Sequence, residues 1–345
     1  MLFLYTELAD YFLSCINYLS ENYSVDILIV RWPVNKEAPF KFNFTEGVKV
    51  ISKQDYSYSE LEKIVSNFTP DFIYCSGWMD KDYLKLCNTN NSARTKVLGL
   101  DNHWVGSIRQ MLGVIYARFS FANYFTHCWV PGSKQYIYAR KIGFSPNQIR
   151  KGFYSADVAL FDKHYHSYAP SKNVDYPHRF IYVGRYAPAK GIQDLWKAFD
   201  ELHLTQPNDW ELWCLGTGSL EPYAHPKIKH FGFVQPTQLV DYIQKTGVFI
   251  LPSTFEPWGV VVHEFAAAGF PLLCSNKVGA KEIFLEENKN GFVFESNNVD
   301  SILQALKKVI NLSNADLNKM ALESNRISKR ITPALWSETL IAMIE

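Results

Sequence analysis

Short, almost continuous apolar runs alternate with amphipathic stretches over the first half of the chain. Leu2–Tyr5, Val25–Arg31 and Asp71–Cys75 are rich in branched and aromatic side chains, as is typical of strands buried on both faces. Apolar residues recur at helical spacing in Ala9–Glu21 and Ser59–Phe68, which lie between those runs. Strands and helices that alternate in this way indicate a parallel sheet covered by helices.

A polar stretch interrupts this pattern, and a second series of strands and helices follows it. The stretch Asp157–His178 is rich in His, Lys and Ser and contains two prolines, so we interpret it as a linker. The sequence therefore predicts an α/β protein with two domains, at residues 1–156 and 179–332, joined by a linker at 157–178. A last helical stretch is predicted at Pro333–Glu345.

The stretch Leu251–Pro271 combines two carboxylates with the start of a helix. Glu256 follows the apolar strand Val248–Leu251 in a loop of Pro, Trp and Gly, and Glu264 lies on the next helix. Carboxylates accept hydrogen bonds from sugar hydroxyls, and a helix start near Gly259 offers backbone N–H groups and a positive dipole end to a phosphate. The segment is a candidate nucleotide-sugar site, although glutamates at this spacing also occur on ordinary solvated surfaces.

A second candidate site opens the second domain, where a strand runs into a glycine turn and then into a helix. Arg185 and Lys190 follow Gly184 in this turn. The planar fork of an arginine and the point charge of a lysine, placed beside a helix start, suit a diphosphate. The alternative is a surface turn with two solvated cations. The P-loop pattern G-x-x-x-x-G-K is absent, so this is not a P-loop.

Composition narrows the class of protein. The chain has 345 residues, 47% of them hydrophobic, and a formal net charge of +1, which argues against nucleic acid as the main partner. It lacks the roughly 18 consecutive apolar residues that a membrane-spanning helix needs. The N-terminus has no basic segment, and we interpret it as a first strand rather than a signal peptide. Six cysteines without a C-x-x-C pair predict buried free thiols and a cytoplasmic protein.

Charge is unevenly distributed, because Asp101 is the only acid between Asp101 and Ser155, a stretch with seven basic residues and many aromatic ones. Two interpretations are open. The stretch is a buried helix pair with a solvated basic rim, or it is a patch for an anionic partner such as a membrane surface or a lipid-pyrophosphate acceptor. In the second case, segment 104–151 contacts the membrane and the protein is peripheral at its inner face.

These elements resemble the retaining glycosyltransferases of the GT-B fold, in the large group (family 4, glycosyl transferases group 1) that includes sucrose and mannosyl transferases. The likeness rests on Phe255–Gly259 and Glu264–Pro271, which together carry a Glu-x7-Glu motif, and on G-R-x4-K-G from Gly184 to Gly191. It is strong over Phe180–Phe294 and general elsewhere. The resemblance implies two Rossmann-like domains facing across a cleft, with the C-terminal helix 333–345 crossing back to the first domain.

The same resemblance implies an activity and its residues. A hexose-type sugar would pass, with retention, from a nucleoside-diphosphate donor to a hydroxyl of a glycan or lipid-linked acceptor, in surface polysaccharide or glycoconjugate biosynthesis. Arg185 and Lys190 would bind the diphosphate, Glu256 a hydroxyl of the donor sugar and Glu264 the ribose. The other donor-binding positions that it implies are Gly184, Gly216, Gly218, Val234, Trp258, Gly259 and Val260. The donor would be a UDP- or GDP-sugar, without a cofactor or metal, and the leaving phosphate would deprotonate the acceptor.

The first domain departs from the family pattern. Glu7, a candidate acceptor-binding residue, lies where many relatives have a Gly-rich loop. Asp101 takes the position of their histidine, with His103 two residues on. Either Asp101 or His103 would contact the donor sugar or steer the acceptor hydroxyl; alternatively, Asp101 caps a helix and His103 is structural. Trp78 and Trp104 are candidates to stack on an acceptor sugar, because ligands bind at the carboxyl ends of parallel strands.

Four other readings of the sequence differ in what they require. Asp80-Lys81-Asp82 spells the D-x-D metal motif of the other main glycosyltransferase fold, but we interpret it as a helix cap and first turn. A dehydrogenase needs G-x-G-x-x-G after a strand, which is absent. A non-catalytic nucleotide-sugar-binding module and a nucleotide-sugar epimerase of the same fold stay open. Binding without turnover would identify the first, and turnover without an acceptor the second.

Overall fold

The computed structural model describes residues 1–33, 42 and 44–344. They divide into two compact units, each described by itself. Unit 1 comprises Met1–Ser155 and Pro333–Glu345, and unit 2 comprises Ala156–Thr332.

Unit 1 alternates strands and helices from its first residues, as the hydrophobic pattern predicts. Its elements are β1 (Leu2–Tyr5), α1 (Asp10–Asn22), β2 (Ile27–Arg31), β3 (Val48–Ser52), α2 (Tyr58–Phe68), β4 (Phe72–Ser76), α3 (Lys81–Thr89), β5 (Thr95–Gly99), α4 (Ile108–Ser120), β6 (His127–Val130), α5 (Ser133–Ile142) and β7 (Ile149–Lys151). The strands form a parallel seven-stranded sheet in the order β3-β2-β1-β4-β5-β6-β7. The strand order reverses between β1 and β4, and the crevice at such a point is where ligands bind in open α/β sheets.

Unit 2 repeats the plan with a smaller sheet. Its elements are α6 (Val158–Val174), β8 (Arg179–Val183), α7 (Ile192–Thr205), β9 (Glu211–Leu215), β10 (Ile228–His230), α8 (Val240–Ile243), β11 (Val248–Leu251), α9 (Val260–Ala267), β12 (Leu272–Ser275), α10 (Lys281–Phe284), β13 (Gly291–Phe294), α11 (Val299–Ile310) and α12 (Asn314–Ser328). The parallel sheet has the order β10-β9-β8-β11-β12-β13. Its reversal point lies between β8 and β11, the two strands that precede the predicted donor-binding turns.

The predicted linker 157–178 is wrong for most of its length. Residues Val158–Val174 form α6, which packs on α9 and α12 within unit 2. The Asp157 side chain caps this helix by accepting a hydrogen bond from the Leu160 N–H. Few positions of α6 are buried, so its sequence is mostly polar, and Pro170 inside the helix strengthened the resemblance to a linker.

The last helix, α13 (Pro333–Ile341), belongs to unit 1, where it packs on α1. Trp336 is almost fully buried and stacks on Trp129 of β6, with ring centroids 4.9 Å apart. It also contacts Phe3 of β1, at 6.4 Å between centroids. Burial of large aromatic rings is a strong contribution to stability, so α13 is an integral part of this core.

The six cysteines are buried and free, which confirms that prediction. Across the described residues, the helices are all too short or too polar to span a bilayer.

Candidate functional site

The donor-site candidates of unit 2 gather where β8 and β11 end. Arg185 lies two residues after β8, and Lys190 ends a short 3-10 turn, Pro188–Lys190, that leads into α7. Glu256 lies in the loop after β11. The two loops are held together because the Ala189 carbonyl accepts hydrogen bonds from the backbone N–H groups of Thr254 (2.9 Å) and Phe255 (3.2 Å).

Lys190 and Glu256 form an ion pair across these loops. The Lys190 Nζ lies 2.5 Å from Glu256 Oε2, and the two side chains are only 21% and 11% exposed. Ser253 donates a further hydrogen bond, of 3.1 Å, to the same oxygen. The sequence predicted separate partners for the two residues, a phosphate and a sugar hydroxyl. The structure adds that the cation and the carboxylate fix each other's position.

Glycines permit close backbone contacts between the loops after β8 and β9. A Cβ on Gly216 would lie 1.9 Å from the carbonyl oxygen of Gly184, and one on Gly218 would lie 2.3 Å from that of Tyr186. The Tyr186 N–H donates to the Thr217 carbonyl over 2.9 Å. The predicted positions Gly184, Gly216 and Gly218 therefore form one compact turn structure beside Arg185.

Helix α9 carries the second predicted glutamate. Its N-cap, Gly259, has a left-handed backbone (φ 90°) and, as a glycine, offers no side-chain cap to the first N–H groups of the helix. Glu264 is half-buried in the middle of α9. The neighbouring His263 fixes the helix, because its Nδ1 accepts from the Ala156 N–H (3.0 Å) and its Nε2 donates to the Ser328 carbonyl (2.8 Å). Burial lowers the pKa of His263 to about 4, which keeps it neutral in this role.

The remaining predicted donor-binding positions lie in or next to these loops. Trp258 is 3% exposed, and its carbonyl accepts from the Ala280 N–H over 2.8 Å, so it is packed into unit 2. Val260 is the first residue of α9. Val234 lies after β10 and is half-buried.

A cavity of about 740 Å³ lies in unit 1 at the reversal point of its sheet. Glu7, Trp78 and Asp101 line it, and each follows the end of a strand: β1, β4 and β5. The structure thus brings together three of the five residues predicted for this domain. Its volume suits a small molecule or a sugar with part of its aglycone.

His103 and Trp104 are not among the residues that line this cavity in the described part of unit 1. The His103 carbonyl accepts from Gln110 Nε2 over 2.8 Å, which ties the loop to α4. Trp104 packs on Tyr138, a lining residue, with ring centroids 5.5 Å apart. Both residues therefore contact residues that line the cavity without lining it themselves.

Several tyrosines that sequence reasoning did not select line the cavity. Tyr5, Tyr11, Tyr74 and Tyr154 all line it. They come from four separate segments, and the absence of any local motif explains why the sequence did not reveal them. Arg109 of α4 also lines the cavity and is the cation nearest in sequence to Asp101 there.

Asp101 lies in the cavity, accessible to water but surrounded by protein. The surrounding protein partly desolvates this carboxylate and so raises the pKa of Asp101, and the nearby Glu7 carboxylate raises it further. Tyr154 opposes the change, because its hydroxyl donates to Asp101 Oδ2 over 3.3 Å. A carboxyl group with a raised pKa is suited to exchange a proton with a bound hydroxyl compound.

We expect Asp101→Asn to stabilise the protein at pH 7 and to lose this advantage as the pH falls toward about 4, the ordinary aspartate pKa. The folded protein holds the Asp101 proton to a higher pH than the unfolded chain does. Ionisation therefore favours unfolding as the pH rises through this window. Urea unfolding of the wild type and the variant at several pH values measures the gap. Asp55→Asn, at an exposed position, controls for loss of charge alone, and a pH-independent gap would contradict the prediction.

The Asp80-Lys81-Asp82 motif is a helix cap, as predicted. Asp80 Oδ1 accepts from the N–H groups of Asp82 and Tyr83 at the start of α3. Asp80 also binds Lys53 and the Trp32 indole, and these contacts lower its pKa against the opposing effect of burial. Within the described residues, no group of three His, Cys, Asp or Glu side chains is placed to hold a metal ion.

Comparison with solved structures defines the fold. Anabaena HepE, solved in complex with UDP, matches with a TM-score of 0.71 at 14% identity over 99% of each chain. Sucrose-phosphate synthase from Thermosynechococcus elongatus matches with a TM-score of 0.74 at 14% identity, over 99% of this chain and 98% of that one. The chain has the GT-B fold, with its two Rossmann-like α/β units, as the sequence predicted.

Comparison of sequences finds a family match over most of the second unit. Residues 169–326 match the model of the family Glycosyl transferases group 1. An uncharacterized glycosyltransferase of Methanocaldococcus jannaschii is 30% identical over 139 residues, 38% of this chain and 35% of that protein. Glycogen synthase of Mycobacterium tuberculosis is 29% identical over 143 residues, 39% of this chain and 34% of that protein. The chain thus spans about a third of the length of these curated relatives.

Proposed function

We propose that the protein is a retaining glycosyltransferase that transfers a hexose-type sugar from a UDP- or GDP-sugar to a hydroxyl of a glycan or lipid-linked acceptor. The observation that carries the proposal is the cluster of Arg185, Lys190 and Glu256 at the reversal point of unit 2. These residues lie within the segment that matches the family. We further propose that the enzyme is cytoplasmic and serves surface polysaccharide or glycoconjugate synthesis.

Several relatives support the donor and acceptor classes. HepE is solved with UDP and glucose, and matched relatives include an alpha-monoglucosyldiacylglycerol synthase of Acholeplasma laidlawii and an O-antigen chain mannosyltransferase B of Escherichia coli. We assign the nucleotide-sugar to unit 2, with the diphosphate at Arg185 and Lys190, the ribose at Glu264 and a sugar hydroxyl at Glu256. We assign the acceptor to the tyrosine-rich cavity of unit 1.

The proposed reaction breaks the bond between the anomeric carbon and the diphosphate oxygen, and forms a bond from that carbon to the acceptor oxygen on the same face. The acceptor proton passes to the leaving diphosphate, so no protein nucleophile is needed. Negative charge grows on the diphosphate as its bond breaks. Lys190, held in place by Glu256, and Arg185 stabilise that charge without having to reorganise.

The test is nucleoside-diphosphate release from a panel of UDP-, GDP- and ADP-sugars with chelator present. We expect slow release from one donor, and about 10- to 100-fold weaker nucleotide binding in Glu264→Ala, because a charge-assisted hydrogen bond contributes roughly 1.5–3 kcal/mol. Glu201→Ala, on α7 and equally half-buried, is the matched control. Nucleotide binding without release, with or without candidate acceptors, would favour the non-catalytic binding module. Interconversion of the donor sugar without an acceptor would favour an epimerase.

A further inference from the structure

Helix α4 of unit 1 presents an apolar face to solvent. Ile108, Leu112, Ile115 and Phe119 follow one another at helical spacing, so they share one side of the helix. All four are exposed, Ile108 to 76% and Phe119 to 82%. A single exposed apolar residue is common, but a continuous row of them marks an interaction surface.

Basic residues border this row. Arg109 stands one residue after Ile108 and Arg118 one residue before Phe119, which places the two arginines on opposite sides of the apolar row. Helix α5 packs on α4 and adds two exposed cations, Arg140 and Lys141. From residue 101 to residue 155, Asp101 is the only acid, and it lies in the cavity. Within segment 101–155, the solvent-facing surface of α4 is therefore apolar in the middle and positive at its edges.

The other side of α4 faces the cavity. Arg109, Gln110 and Gly113 line it, while Ala117 is fully buried. Met79, 77% exposed, also lines the cavity and extends its apolar rim. One helix thus separates the proposed acceptor cavity from an apolar, basic-edged surface. A molecule whose polar end enters the cavity would have its apolar part next to that surface.

We propose that the outer face of α4 docks onto a membrane surface rich in anionic lipid, and that the acceptor is an amphiphile presented from that surface to the cavity of unit 1. The second clause rests on the proposed transferase function; the docking itself does not. An apolar stripe with arginines at its borders suits the interface between acyl chains and anionic headgroups. A second copy of the chain fits less well, because two-fold pairing of identical faces would bring their cationic borders together.

The experiment is co-sedimentation of the full chain with vesicles of phosphatidylcholine alone or mixed with phosphatidylglycerol. Leu112→Gln/Phe119→Gln removes apolar surface from the face, and both residues lie outside the cavity lining. Leu204→Gln/Leu322→Gln is the matched control, since these leucines are exposed to 79% and 59% on helices of unit 2. We expect binding to the anionic vesicles, a loss of about tenfold or more in the α4 variant, and no change in the control.

A variant that removes one charge measures the electrostatic contribution to vesicle binding. Arg118→Gln is expected to weaken binding severalfold to anionic vesicles only, with the difference disappearing at high salt. Equal binding of the wild type and the α4 variant would overturn the docking proposal. A wild-type dimer that the α4 variant converts to a monomer, with vesicle binding absent, would assign the face to self-association instead.

Donor hydrolysis distinguishes this inference from the proposed function. The α4 variant should release nucleoside diphosphate from the donor in water at the wild-type rate, because its substitutions are in neither candidate site. Vesicle binding without any release, either in water or with candidate acceptors added, would overturn the transferase and leave the docking intact. Release without vesicle binding would support the transferase and overturn the docking.

Discussion

Replacing Lys190 by methionine is expected to lower kcat/KM for sugar transfer by about 10²- to 10³-fold, the usual effect of losing one preorganised group that stabilises transition-state charge. Methionine keeps the length and most of the volume of the side chain but removes the cation. If Lys190 stabilises the leaving diphosphate, kcat falls with kcat/KM, because the interaction strengthens as the bond breaks. Steady-state kinetics with the donor identified by the release assay measures this.

The same substitution leaves the Glu256 carboxylate, 11% exposed, without its cation. Breaking such a pair from one side destabilises the fold, here by about 1–3 kcal/mol, since the site is partly open to water. The double variant Lys190→Met/Glu256→Gln removes both charges and should recover most of this stability. It should recover none of the activity, because the proposed phosphate ligand is still missing.

Control variants distinguish a role of Lys190 in the reaction from a purely structural role. Lys289→Met removes a lysine that also pairs with a glutamate, at 2.7 Å from Glu286 Oε2, but on an exposed surface. It should change activity and stability little, because exposed ion pairs contribute about 0–1 kcal/mol. Full activity in Lys190→Met would remove Lys190 from the reaction. Activity restored in the double variant would make the pair purely structural.

The donor-site candidates could be selected from the sequence because they belong to local motifs. Arg185 and Lys190 fall in one turn, and Glu256 and Gly259 in one loop, so spacing along the chain was sufficient to identify them. What spacing could not show is that Lys190 and Glu256, 66 residues apart, would pair directly. That contact exists because β8 and β11 are neighbours in the sheet, and neighbouring strands are a property of topology.

The residues that line the cavity of unit 1 were predicted only in part for the same reason. Glu7, Trp78 and Asp101 each follow a strand, and the rule that ligands bind at carboxyl ends of strands selects such residues. Tyr5 and Tyr74 lie within strands, where the sequence suggests ordinary core packing. Tyr154 comes from the end of unit 1 and has no motif around it.

The linker prediction failed because composition cannot distinguish a lightly buried helix from a polar connection. Helix α6 buries only part of one side against α9 and α12, so its average hydropathy is low. Lys172 is buried there against the ring of Phe270, with its Nζ 4.0 Å from the ring centroid. A lysine is a residue that sequence reasoning assigns to solvent, and its burial depends on a partner about a hundred residues away.

Gly191→Ala is expected to destabilise unit 2 by about 2–5 kcal/mol, the sum of roughly 1–2 for a left-handed residue with a Cβ and 1–3 for overpacking. Gly191 has φ 64°, and a Cβ there would lie 2.1 Å from the carbonyl oxygen of Pro252. That carbonyl precedes Ser253, which donates a hydrogen bond to Glu256. The substitution therefore separates the two loops that hold Lys190 against Glu256, and activity should fall beyond the loss of folded protein.

Gly232→Ala measures the free-energy cost of a left-handed alanine alone, without the close contact. Gly232 has φ 70°, close to the value at Gly191, but a Cβ there meets nothing within 4 Å. It should destabilise the protein by only about 1–2 kcal/mol and leave kcat per folded molecule near the wild-type value. Urea unfolding and kinetics of both variants give the comparison. If both alanines cost the same stability, close contact at Pro252 is not what requires a glycine at position 191. A larger loss in Gly191→Ala, together with lost transfer activity, would show that the loop contact positions Lys190, the lysine proposed to bind the diphosphate.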